Sequence, residues 1–294
     1  MYQTDPPRPA KETLPTMYDL PSEDPEEPGL PDEFHDFQPQ LLRETFCPPS
    51  YPRDQIFVGT DLNLYYDVRH PQWYKRPDWF GVVGVSRFYE QRDLRLSYVI
   101  WQEGVSPFIV VELLSPTTES EDLGQTLREI GRRPRYAIDQ PPTKWEVYER
   151  ILRIPYYVVF SRYTNELRIF ELKGLNYQQV RLDIEKFWLP ELGLGLGVWS
   201  GSYQEVNGRW LRWYDELGNW IPTGSEQAQQ AQDQLQQTKQ QLQQAQQQKE
   251  LVQQQLQEAE QEAQLERQEK ELAQQQAARL AERLRQLGID PGEV

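Results

Sequence analysis

Apolar residues along this chain follow three rhythms. From Ile56 to Tyr66 they alternate: Ile56, Val58, Leu62, Leu64 and Tyr66 are interleaved with other residues. That period of two predicts a strand or hairpin over 56–68. Residues 79–85, 96–101 and 107–114 are further strands, and Tyr156–Phe160 is a buried one. Leu167–Leu172 and Tyr177–Val180 follow, with a turn at Tyr163-Thr164-Asn165. The repeated Gly and Trp of Leu192–Trp199 and Arg209–Trp220 predict a closing β-meander. Helical spacing comes second. Phe34, Phe37, Leu41 and Leu42 suit a short helix from Glu33 to Phe46, ended by Pro48-Pro49. Thr143-Lys144-Trp145-Glu146 has the form of a capping box, with Thr as N-cap and Glu three residues on. Trp145, Tyr148, Ile151 and Leu152 continue that helix until Pro155 stops it.

The third rhythm is a heptad repeat from Ser225 to about Leu287. One register places Leu235, Leu242, Leu256 and Leu284 at a, and Ala231, Ala245, Val252, Ala259 and Leu280 at d. Lys249, Glu266 and Lys270 interrupt the seam, and Leu265 and Leu272 fall outside it, which predicts a register shift near them. Gly288 and Pro291 end the helix. The seam is rich in alanine and therefore weak; a lone solvated helix and an intermolecular coiled coil both fit it.

These rhythms divide the chain into an acidic, Pro-rich arm (1–33) with too little apolar surface to offset its ordering entropy, a folded domain (34–222), and a Gln/Glu-rich coiled-coil helix (225–288). The arm is read as extended or disordered. Glu119–Pro142 is a polar stretch with Arg128, Arg132, Arg133 and Arg135, predicted as a long surface loop.

Charge sharpens the division. The net charge is −15 over 294 residues. Residues 1–50 carry three Lys/Arg against eleven Asp/Glu, whereas residues 51–222 carry 21 against 23. The acidity thus belongs mostly to the ends. A net acidic chain is a poor nonspecific nucleic-acid binder, while a near-neutral middle leaves room for a local basic patch. One cysteine, Cys47, excludes a disulfide framework or cysteine-based zinc site within the chain. His35 and His70 are the only histidines, so a His-rich metal site is not expected; both are read as surface or packing residues. No run of about 18 apolar residues exists, so no membrane partner is expected. With no apolar signal core at the N-terminus, the expected location is cytoplasmic.

The candidate chemistry lies in two apolar runs that each carry one carboxylate: Pro77-Asp78-Trp79-Phe80-Gly81-Val82-Val83, and Ile109-Val110-Val111-Glu112-Leu113-Leu114-Ser115-Pro116. A carboxylate in such a setting is costly unless it binds something. Plainer readings stay open: Asp78 as a cap after Pro77, Glu112 as a partner of an arginine, Lys144 as a surface lysine at a helix start, and Asp122 as a loop or cap residue.

The ordered set Pro77-Asp78, Val110–Thr117, Asp122-Leu123, Lys144 with Tyr148, and Ile154–Val159 resembles the Uma2 family of restriction-type endonucleases, within the PD-(D/E)xK nuclease superfamily. The resemblance spans roughly residues 30–220. The Gln-rich tail after a Trp-rich meander is similar to that of the family's longer members. The resemblance implies an α/β fold, with a restriction-endonuclease-like mixed β-sheet core flanked by helices; the long C-terminal α-helix follows as a coiled coil. It also implies a metal-dependent endonuclease hydrolysing phosphodiester bonds in DNA, with Asp78 and Glu112 as ligands of Mg²⁺ or Mn²⁺ and Lys144 as the assisting catalytic cation. Two carboxylates on adjacent strands are hard oxygen donors suited to such an ion. Where the superfamily motif places Lys two residues after Glu, this chain has Leu114. Lys144, after Asp122 and a longer insertion, takes the relocated position, with Arg128 as the fallback. Glu33 and Glu44 are candidates for an additional acid from the first helix.

A homodimer through the coiled coil suits both the heptads and double-strand cleavage. The alternative function is a catalytically inactive nuclease-fold protein that binds nucleic acid or protein, or assembles through the coiled coil.

Overall fold

The computed structural model describes residues 32–114, 122–123 and 141–286. Helix α1 (Glu33–Thr45) starts at Asp32, whose side chain accepts a hydrogen bond from the His35 backbone N–H at 3.1 Å. Its buried face carries Phe34, Gln38, Leu41, Leu42 and Thr45, the spacing of one helical stripe. Strands β1 (Ile56–Thr60), β2 (Leu64–Tyr65), β3 (Tyr74–Lys75), β4 (Trp79–Val83) and β5 (Tyr98–Val99) follow, then a helical turn, α2 (Ile100–Glu103). After β6 (Ile109–Leu113) comes α3 (Lys144–Glu146), which widens into a π-helical turn at Val147–Ile151. Strands β7 (Tyr156–Ser161), β8 (Glu166–Lys173), β9 (Asn176–Gln179), β10 (Lys186–Leu189), β11 (Leu194–Tyr203) and β12 (Val206–Tyr214) complete the folded part.

The central sheet has six strands in the order β1-β4-β6-β7-β8-β9. Only β6 and β7 pair in parallel, so the sheet is mixed. Every residue of β4, β6 and β7 is buried, which is why they read as unbroken apolar runs: both faces of the sheet are covered. Val111, Leu113, Val158 and Phe160 face α1 and the sheet β10-β11-β12. Phe80, Val110, Tyr157 and Val159 face the α3 side and the small sheet β3-β2-β5. The Gln38 amide fixes α1 to β12 by donating to Leu211 C=O at 2.8 Å and accepting from its N–H at 2.7 Å. Gly59 is opposite Phe80, where a Cβ would meet the ring at 2.2 Å.

The described residues up to Gly224 form one compact unit and those from Ser225 a second. Helix α4 (Gly224–Gln286) runs for 63 residues without a buried residue, and Leu235, Leu242 and Leu256 are each more than half exposed. Among the described residues no helix is long and apolar enough to cross a membrane. The structure shortens two predicted elements. The 96–101 strand is only Tyr98–Val99 before α2 begins, and the 56–68 segment holds two short strands in different sheets. The arginine cluster 128–135, Arg128 included, and most of the predicted polar loop lie outside the described residues.

Candidate active site

Asp78 immediately precedes β4 and Glu112 lies in β6. The antiparallel register pairs Trp79 with Val111 and Phe80 with Val110, which carries the two carboxylates to facing positions one step on. Side chains alternate faces along a strand. Trp79 and Val111 face α1, so Asp78 and Glu112 face α3. Two bonds tie them. Asp78 Oδ2 accepts from Leu113 N–H at 2.6 Å, and Asp78 N–H donates to Glu112 Oε2 at 3.4 Å. Glu112 is fully buried.

The capping box of Thr143 and Glu146 forms as the sequence predicts and fixes the start of α3. Lys144 and Tyr148, four residues apart, then reach the same carboxylate. Tyr148 O–H donates to Glu112 Oε1 at 2.9 Å. Lys144 Nζ lies 3.2 Å from Glu112 Oε2 and 2.9 Å from Asp122 Oδ1. The second contact is a charge-assisted pair that ties Asp122 to the same ammonium. Tyr157 O–H donates to the Asp122 backbone carbonyl at 2.9 Å. Lys144 keeps 19% of its side-chain exposure against 0% for Glu112 and 1% for Asp122, which makes it the group among these three that meets solvent.

Glu112 and Asp122 therefore contact one ammonium directly, and Asp78 acts on it through the electrostatic field. Burial pushes Asp78 above the usual carboxylate range against the pull of Lys144 and the Leu113 N–H. Burial raises Glu112 further; Lys144 opposes it, while Asp122 and Asp78 add to the rise. Burial alone would lower Lys144, but Glu112, Asp122 and Asp78 outweigh it and hold the ammonium well above its ordinary value. Burial, then Glu112, raises Tyr148, so its hydroxyl remains a donor.

The profile of the Uma2 family, whose description is "Putative restriction endonuclease", matches residues 12–204, about two thirds of the chain. The chain belongs to the Uma2 family. No curated protein matches it. The match covers α1 and the whole central sheet, and the mixed sheet with its flanking helices is restriction-endonuclease-like. Uma2 membership supports a nuclease-like function with nucleic acid as the substrate.

The structure thus brings Asp78, Glu112 and Lys144 together and adds Asp122 and Tyr148. It does not bring in the two glutamates of α1. Glu44 accepts from Tyr203 O–H at 2.9 Å, and Glu33 lines a separate cleft. Instead α1 supplies His35, which is buried rather than at the surface. His35 Nε2 lies 3.1 Å from Leu113 O, and Nδ1 lies 2.8 Å from Asp32 Oδ1. A carbonyl and a carboxylate only accept, so these two contacts favour the doubly protonated ring. Burial opposes that charge, but Asp32, Asp78 and the Leu113 carbonyl raise its pKa overall. The Leu113 peptide therefore spans from His35 at its C=O to Asp78 at its N–H. The only sequence signal was an Asp-x-x-His spacing at a helix start. His70 stacks on Trp73, ring centroids 3.8 Å apart, and pairs with Asp67 away from this cluster.

The cluster fits a divalent cation. It holds hard oxygen donors, and its three carboxylates outnumber its one ammonium. Among the described residues no set of three His, Cys, Asp or Glu side chains converges as a complete ligand cage. The fit is therefore to an ion held by two carboxylates that keeps its other positions for water and substrate oxygens.

Proposed function

We propose that this Uma2 protein is a Mg²⁺- or Mn²⁺-dependent endonuclease that hydrolyses phosphodiester bonds in DNA. The observation that supports it most is the convergence of Asp78 and Glu112 from adjacent strands with Lys144 from a capped helix. Asp78 and Glu112 would hold the cation, whose chemistry when bound is to polarise the scissile phosphate and acidify a water. Leu113 N–H and Tyr148 O–H each occupy one carboxylate oxygen and so fix the two groups in orientation. Asp122 and Glu112 hold Lys144 protonated. Lys144 therefore acts as a donor to a phosphate oxygen on which charge develops rather than as a base. Its partial exposure lets the ammonium reach a substrate arriving from solvent. A homodimer through the α4 heptads would join two such sites in one assembly.

The test is cleavage of supercoiled plasmid by the full chain in Mg²⁺ or Mn²⁺ against EDTA. Nicking that needs the cation and falls at least a hundredfold in both Asp78→Ala and Glu112→Ala supports the reading. Absent cation-dependent nicking, or equal nicking by the variants, sinks it. DNA binding without cleavage would instead favour a silent nuclease-fold module.

A further inference from the structure

A cleft of about 360 Å³ opens between the start of α1, the β7–β8 turn and the β11–β12 hairpin. Its size lies in the usual range for small-ligand sites, about 300–1,000 Å³. Phe34, Phe37 and Trp210 give it aromatic walls, and Arg162, Asn165 and Asn207 give it polar edges. Trp210 is only 3% exposed, yet its indole Nε1 has no hydrogen-bond acceptor. A buried polar group without a partner is uncommon and calls for an explanation. Gly208 lines the same cleft, and a Cβ there would lie 3.3 Å from that Nε1. The glycine thus keeps open the space beside the unpaired N–H. Arg162 is held in place by Asp32 at 3.0 Å and sits 5.6 Å from the Phe34 ring centroid.

The cleft lies at the same end of the central sheet as the carboxylates. Leu113 pairs in register with Phe160 on the parallel strand β7, and Arg162 follows two residues later. Phe34 on the cleft wall adjoins His35, which contacts the Leu113 carbonyl next to Glu112. We propose that this cleft receives one unpaired nucleobase of the nucleic-acid substrate, an inference that rests on the nuclease reading above. Phe34 and Trp210 stack on each other, ring centroids 5.4 Å apart, so the half-buried Phe37 ring is the aromatic surface left for a base face. The Trp210 N–H donates to a base carbonyl or ring nitrogen, and the two asparagines, each with donor and acceptor atoms, address the remaining edge. A protein that holds an extruded base here prefers bulged or distorted duplex, in which that base is already unpaired.

The test is equilibrium binding of the full chain to a fluorescent DNA duplex with one bulged nucleotide. The duplex is made with each of the four bases at the bulge and with an abasic residue there. Binding is read by anisotropy without divalent cation, so that the DNA stays intact. At least one base-bearing duplex binds about tenfold tighter than the abasic one, the scale of one base–aromatic contact. Gly208→Leu, which fills the space, and Trp210→Phe, which keeps a ring but removes the N–H, bring that ratio toward one. Equal binding of base-bearing and abasic duplexes by the wild type, or an unchanged ratio in both variants, overturns the proposal. No binding to any duplex overturns it together with the nuclease reading. Discrimination between the duplexes without Mg²⁺-dependent cleavage keeps the cleft and sinks only the enzyme.

Discussion

Lys144 is the one cation between two buried carboxylates, so its removal tests how the cluster is balanced. Lys144→Met leaves Glu112 and Asp122 without their partner and should destabilise the fold by about 3–5 kcal/mol, read as a lowered denaturant midpoint. Added Mn²⁺ should recover part of that loss. Tyr148→Phe removes only the hydroxyl that orients Glu112 Oε1 and should weaken Mn²⁺ affinity by about tenfold, as a supporting hydrogen bond does, measurable by calorimetry. His35 gives a pH signature. Its folded pKa is raised above 6.5, so its contribution to stability is full below the unfolded value and is lost as pH rises through the folded one. Asp32, for which burial is outweighed by His35 and Arg162, is lowered below 3.8; its contribution is present above that value and is lost as pH falls through the folded one. Thermal stability of the wild type should therefore decline as pH rises above the unfolded histidine value of about 6.5, and His35→Gln should flatten that decline. An identical pH profile in the variant would contradict the cationic His35. Asp78 and Glu112 stood out in the sequence because a carboxylate in an apolar run is costly. Lys144 stood out because a capping box marks where its helix starts. Asp122 and His35 carried no such mark; contacts distant in sequence, Lys144 for one and Leu113 for the other, give them their surroundings.

At the scale of elements, period-two and unbroken apolar patterns located β4, β6, β7 and β8 because burial on one or both faces decides them. The short strands β2, β3 and β5 were obscure, since two-residue pairings leave no periodic trace. The π-helical turn after α3 was not legible either. A run such as Val147–Ile151 is compatible with an ordinary helix; in the fold its wider turn coincides with Tyr148 anchored on Glu112 and the Glu149 carboxylate accepting from Tyr177 N–H at 2.8 Å. Helix α4 buries none of its apolar positions. A dimeric coiled coil would cover its a and d residues. The expected outcome is a dimer by light scattering, with a helix melting temperature that rises with protein concentration. Leu242→Asp together with Leu256→Asp should give a monomer. A concentration-independent monomeric wild type would leave α4 a lone solvated helix.

At the scale of the molecule, the mixed sheet covered on both faces sets two strand ends and a helix start at one place, and the candidate chemistry lies there. The apolar runs made the sheet legible. Strand order was not, because only the parallel β6–β7 pairing brings Glu112 beside the strand that leads to Arg162. The proposal rests above all on the half-buried Asp78 and the buried Glu112 forming a divalent-cation site. The direct measurement is calorimetric binding of Mn²⁺ to the full chain and to the near-isosteric variants Asp78→Asn and Glu112→Gln, with folding checked by circular dichroism. The expected result is one class of site in the wild type, displaced by Mg²⁺ and weakened in both variants by more than the Tyr148→Phe effect of about tenfold. Equal Mn²⁺ binding by all three proteins would contradict it.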